Sequence, residues 1–186
     1  MADDQTPDEK LVPTVRTVIA PADLYQALKK AWETLLDPQT ATRDRLLVLM
    51  AQWALETGNG AAANNFNLAG IKHLPGDGHN YAAYRTREFL GGAWEVLVCN
   101  FRAYDSLDAA ALDYLQLLRG RFAAAWPAVE AGDVGQFARR LKLGHYYTAP
   151  EAEYAAGLAA RRAWLDARVP QDAGPADDVA APNAVG

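Results

Sequence analysis

Two of the 23 acidic residues in this 186-residue chain stand where a carboxylate costs stability. Glu56 closes a stretch of helical spacing just before Gly58, so its charge meets the negative end of the helix macrodipole and its ionised form is disfavoured. Glu88 lies opposite Glu95 if a hairpin turns at Gly91-Gly92, and like charges across a strand pair repel. A carboxyl kept protonated near neutral pH donates a proton, and one kept ionised takes it. His73, Asp77 and His79 form another polar group, but in a Gly-rich loop without helical spacing they are a weak ligand set, and no metal is expected. Cys99, the single cysteine, permits neither an internal disulfide nor a cysteine-based zinc cluster.

The elements that must carry these groups are legible from periodicity. Leu24, Leu28, Trp32 and Leu35 predict an amphipathic helix over 21–36 with Pro21 in its first turn. Leu46, Leu49, Met50, Trp53 and Ala54 predict a second helix over 43–57, stopped by Gly58. Residues 58–83, rich in Gly and Asn, read as loop, and 84–101 as the only β element, a hairpin about Gly91-Gly92. A third helix over 106–119 follows Asp105 or Ser106 as N-cap. Shorter helical pieces are expected over 122–131 and 134–143. A last helix over 150–168 has Glu151 and Glu153 in its first turn and Arg168 near its end, matching the dipole.

Composition narrows the function classes. The longest largely apolar run, Leu46 to Leu55, contains Gln52 and is too short for a membrane span, so no membrane insertion is expected. The acidic opening MADDQTPDEK does not read as a signal peptide. The formal charge is -5 with a pI near 5.2, which argues against a nucleic-acid partner. Residues 1–12 and 170–186 each carry a net of -3, leaving about +1 for 13–169. The expected organisation is therefore one domain over 13–169 between two acidic, disordered tails.

Four collinear blocks carry a family resemblance. Ala51-Gln-Trp-Ala-Leu-Glu56-Thr-Gly58, with Asn64-Asn65-Phe66 and Gly70-Ile71-Lys72, resembles the signature of the glucosaminidase family of peptidoglycan hydrolases. Thr86-Arg87-Glu88-Phe89 is similar to its hairpin acid, Phe101-Arg102-Ala-Tyr104 leading to Asp113-Tyr114 to the following segment, and Tyr146-Tyr147-Thr148-Ala-Pro150 with Tyr154 to its C-terminal block. The resemblance implies an α+β fold, mainly α-helical and lysozyme-like with a small β-hairpin lobe. It implies Glu56 as general acid for a β-1,4 glycosidic bond, because the leaving oxygen must be protonated, and Glu88 as base, with Glu95, Asp77 or no second acid as alternatives. Tyr146 matches a tyrosine beside the acid, with a core aromatic as the alternative. Asn65, Phe66, Trp53, Tyr81, Tyr84 and Tyr147 complete the implied substrate-binding set, with no cofactor.

The implied partner is the peptidoglycan glycan strand. A lytic transglycosylase or muramidase on the same glycan, and a non-catalytic glycan-binding or structural component, stay open as alternatives. The expected route is synthesis in the cytoplasm without a signal peptide and action on the wall after delivery by a phage, by a secretion apparatus with an immunity partner, or by passive release. The chain departs from the family at Gly58-Asn59-Gly60, where an aromatic usually separates the glycines, and at His145, where Gly usually precedes the tyrosine.

Overall fold

Pro21 opens α1 (Pro21–Leu35), where its fixed φ suits the first turn, and Leu24, Leu28 and Trp32 form the buried face. α2 (Arg43–Glu56) departs from the amphipathic expectation: every residue from Leu46 to Ala54 is buried, Gln52 included. A helix enclosed on all sides lies at the centre of a bundle. In the computed structural model, which describes residues 9–90, 93–169 and 171 but not the side chains of 87–90 and 94, α2 is that central helix.

Around it pack α1, α4 (Trp126–Glu130), α5 (Val134–Leu143) and α6 (Glu151–Asp166), while α3 (Leu107–Gly120) lies against α1. Ser106 caps α3 by accepting the N–H of Ala109, and Asp133 caps α5 by accepting that of Gln136. The helical piece expected over 122–131 is divided into a 3-10 turn at Ala123–Ala125 and then α4. α6 runs antiparallel to α2. Arg43 at the start of one meets Asp166 at the end of the other (2.9 Å), as Arg162 meets Asp44. Such exposed pairs contribute about 0–1 kcal/mol each, so packing sets the crossing. At Gly157 a Cβ would come within 2.9 Å of Leu55, and its absence lets α6 approach α2 closely.

Of the strands, β1 (Arg16–Thr17) pairs with β2 (Ala63–Asn64), and β3 (Tyr81–Leu90) with β4 (Ala93–Arg102), both antiparallel. The hairpin is longer than the sequence implies, and its register sets Glu88 opposite Glu95 as expected. The β1–β2 pair is absent from the sequence reading, because two-residue strands leave no alternation to detect. The tail boundary at residue 12 is also corrected. Glu9 accepts the N–H groups of Gly76 (3.0 Å) and Gly78 (2.6 Å), and Val12 donates to the Tyr81 carbonyl (2.8 Å), so 9–12 form part of a strap along the base of the hairpin. Residues 1–8 and 172–186, the remainder of the expected tails, lie outside the described residues. No helix among the described residues is long and apolar enough to cross a membrane.

Candidate active site

The end of α2 is built to stop at Glu56. Thr57 donates its N–H (2.9 Å) and hydroxyl (2.6 Å) to the carbonyl of Trp53 and accepts the N–H of Gly60 (2.9 Å). Gly58, Asn59 and Gly60 all take positive φ, at 58°, 62° and 84°, and such a run cannot continue a right-handed helix. Gly60 is required on steric grounds as well, since a Cβ there would lie 2.4 Å from both the Ile19 carbonyl oxygen and the Trp53 ring. This reversal leaves Glu56 as the last helical residue, lining a cleft of about 570 Å³ between the helices and the hairpin.

Glu56 is solvent-exposed on its cleft side and enclosed by protein on the others. Burial raises its pKa above the ordinary carboxylate range, and a hydrogen bond from Tyr154 works in the opposite direction without cancelling it. The Tyr154 hydroxyl donates to Oε1 of Glu56 at 2.8 Å and accepts from Nε2 of Gln52 at 3.2 Å. Tyr147 lies stacked on Tyr154, with centroids 3.7 Å apart, and donates its hydroxyl to the Ala138 carbonyl (3.0 Å). Tyr146 also lines the cleft, but its hydroxyl goes to the carbonyl of Ala69 (2.7 Å). Across the cleft, Tyr84 stacks on Phe101 at 4.3 Å and 10°. Burial pushes its hydroxyl pKa up to about 12 against a hydrogen bond with Asn64. A proton donor with a raised pKa, an open cleft and aromatic faces on its walls can protonate a leaving oxygen on a bound sugar.

Residues 39–162, about two thirds of the chain, match the family model Glucosaminidase, described as mannosyl-glycoprotein endo-beta-N-acetylglucosaminidase. The chain belongs to the Glucosaminidase family. Solved structures agree. A peptidoglycan hydrolase from Sphingomonas sp. A1 is 30% identical with a TM-score of 0.59, over 80% of this chain and 89% of that one. The C-terminally truncated glycoside hydrolase domain of FlgJ from Salmonella typhimurium is 26% identical with a TM-score of 0.53, over 77% and 93%. The catalytic domain of the autolysin Auto from Listeria monocytogenes, 21% identical with a TM-score of 0.52 over 77% and 80%, shares the fold. No curated protein matches the chain. The fold is the lysozyme-like α+β class that the resemblance implies, and the protein is a glycoside hydrolase.

Among the residues singled out in the sequence, this glucosaminidase brings Glu56, Tyr84, Tyr146 and Tyr147 to one cleft. Four others go elsewhere. Trp53 is fully buried, and its ring supports the turn at Gly60. Asn65 accepts the Val15 N–H (3.0 Å) and donates to the Pro13 carbonyl (3.0 Å), so both ends of its amide hold the strap. Phe66 packs against the core at a positive φ of 54° and donates its N–H to the Thr17 hydroxyl (3.1 Å). Tyr81 stacks on His73 at 4.3 Å. None of the four lines the cleft. Proximity in sequence to Glu56 or to the hairpin misplaces them. The side chain of Glu88 lies outside the described residues; its backbone is in β3.

Tyr154 and Gln52 are the site residues that the sequence reading misses. Their positions are visible there, Tyr154 on the buried stripe of the last helix and Gln52 as a polar interruption of the most apolar run, and that lone glutamine is the available signal. The loop cluster resolves differently from its sequence grouping. His73 faces Glu9 (3.2 Å) and Asp77 (3.6 Å), whereas His79 turns to Asp113 (3.3 Å). The ligand atoms of Glu9, His73 and Asp77 lie within 4.8 Å of one another. Among the described residues these three come nearest to a metal-binding set, away from the cleft. Their oxygens already accept backbone N–H groups, and Asp77 carries the Arg102 guanidinium at 2.9 Å, a cation standing where a metal charge would be.

Proposed function

We propose that the protein is an endo-β-N-acetylglucosaminidase of peptidoglycan, hydrolysing the β-1,4 bond that follows N-acetylglucosamine. The observation that carries the reading is Glu56, at the end of the central helix, open to the cleft and raised in pKa by burial. In this reading Glu56 gives its proton to the leaving glycosidic oxygen, and the stacked rings of Tyr84 and Phe101 take a sugar face. Glu88 is the proposed base. Its backbone lies two residues beyond Thr86 on β3, and Thr86-Arg87-Glu88-Phe89 is the segment similar to the family's hairpin acid. Glu88 would activate water on the far side of the ring or support attack by the substrate's own N-acetyl group.

Tyr146, with its hydroxyl committed to Ala69, is proposed to shape the cleft wall with its ring. The substrate places the site of action at the cell wall, and an apparatus or phage that delivers the enzyme, or an immunity protein that restrains it, would be its specific partner. Mass spectrometry of digested, purified sacculi tests the reaction. Products carrying one added water and reducing N-acetylglucosamine ends are expected; anhydro-muramic ends would mean a lytic transglycosylase, reducing muramic ends a muramidase, and sedimentation with sacculi without any product a binding protein.

A further inference from the structure

Tyr154 has one hydroxyl proton and faces two polar groups, Oε1 of Glu56 at 2.8 Å and Nε2 of Gln52 at 3.2 Å. The direction of that proton is decided one residue further from the cleft. Gln52 is wholly buried, and its Oε1 accepts the Tyr114 hydroxyl at 2.5 Å, whereas the other acceptor in reach of that hydroxyl, the Leu49 carbonyl, stands at 3.5 Å. Turning the amide over would set its NH2 against Tyr114 and leave that hydroxyl only the long bond to Leu49. It would also bring the amide oxygen to Tyr154, which would then spend its proton on Gln52 and not on Glu56. Tyr114 therefore fixes the amide, and the amide fixes Tyr154.

We propose that Gln52, aligned by Tyr114, is a positioning residue that directs the Tyr154 proton onto Oε1 of Glu56 and so assigns the acid proton of Glu56 to Oε2, the oxygen Tyr154 does not engage. The inference rests on Glu56 being the general acid. The relay crosses three helices, with Tyr114 on α3, Gln52 and Glu56 on α2, and Tyr154 on α6, and a full turn of α2 separates Gln52 from Glu56. Among the described residues, the titratable groups that sense the charge of Glu56 are Tyr114, Tyr146 and Tyr154, all held well above the usual tyrosine range by burial first and by that charge second. Donation from Gln52 acts oppositely on Tyr154, lowering its pKa. That makes its hydroxyl a stronger donor to Glu56.

The test uses the full chain on purified sacculi, with turnover and half-saturation followed across pH and melting temperature measured alongside. Gln52→Met removes the amide at nearly constant volume, and Tyr114→Phe removes only the hydroxyl that aligns it. Each is made in the wild-type and in the Tyr154→Phe background. Gln52→Met is expected to lower turnover roughly 5- to 20-fold, the scale of one hydrogen bond, with half-saturation little changed. Weaker donation to ionised Glu56 raises its pKa, so the alkaline limb of the profile moves to higher pH. In the Tyr154→Phe background the same substitution should have no further effect. Tyr114→Phe should shift turnover and limb in the same direction by less, and it carries the comparison if Gln52→Met does not fold.

An alkaline limb that stays in place while activity merely tracks the folded fraction would overturn the proposal. Equal losses from Gln52→Met in both backgrounds would do the same, because Gln52 would then not act through Tyr154. Full activity of Glu56→Gln would instead remove the acid assignment itself, which separates failure of the function from failure of the relay.

Discussion

Glu56 combines two environments, the open cleft on one side and protein on the rest, and Tyr154 donates a hydrogen bond to it. An acid catalyst works only while protonated, so activity should fall as pH rises through the pKa of Glu56. Since burial raises that value, the fall should lie above the ordinary carboxylate range of about 4. A profile of product release against pH checks this. Stability carries the opposite mark. The folded state binds the Glu56 proton more tightly than the unfolded chain does, so unfolding free energy decreases as pH rises between the two pKa values. Glu56→Gln should therefore melt higher than the wild type at neutral pH, by a margin that solvent screening from the open cleft keeps small, with the difference vanishing in acid, as followed by thermal melts at both pH values. Glu88→Gln should slow hydrolysis by roughly 100-fold or more while leaving sedimentation with sacculi intact, the signature of a base and not a binding group.

At the level of elements, the turn after α2 is the most demanding piece of backbone near the site. Gly60→Ala combines a positive φ with a Cβ 2.4 Å from a carbonyl oxygen and the Trp53 ring, and should cost about 2–4 kcal/mol, measured as a lowered urea midpoint. α1, α3 and the hairpin are legible in the sequence because burial repeats along them with period 3.6 or 2, and α2, buried all round, is legible from its continuous apolar run ended by Gly58. Leu24, Leu28 and Trp32 announce α1, and a turn centred on Gly91-Gly92 sets Glu88 against Glu95 by counting residues outward from it. What escapes is tertiary. β1 and β2 have no period, since two residues each are held by their neighbours. Tyr154 looks like any buried aromatic until α6 is laid antiparallel on α2, and Trp53, one turn from Glu56 in sequence, turns into the core because the chain folds back over it at Gly60.

Over the whole molecule, the strap ties the amino-terminal residues to the hairpin base through ionised carboxylates. Glu9 is lowered in pKa chiefly by the N–H groups of Gly76 and Gly78. For Asp77, burial pushes upward, but the Leu74 N–H and the Arg102 guanidinium outweigh it and the net shift is downward. A depressed folded pKa contributes stability that is complete above the unfolded value and disappears as pH falls through the folded one. The urea midpoint should thus decline on acidification below about pH 4, and Glu9→Gln should flatten that decline. The same network explains why a tail boundary at residue 12 falls too late: composition marks 1–12 as an acidic tail, but one of its acids is a structural ligand for two backbone N–H groups.

The central claim is that Glu56 protonates the glycosidic oxygen of a peptidoglycan strand, and release of reducing ends from purified sacculi by Glu56→Gln, beside the wild type at equal folded concentration, tests it most directly. Loss of activity by roughly 100- to 10,000-fold, with the variant folded and still sedimenting with sacculi, is the expected result. Reducing ends released by Glu56→Gln at a rate near that of the wild type would contradict it.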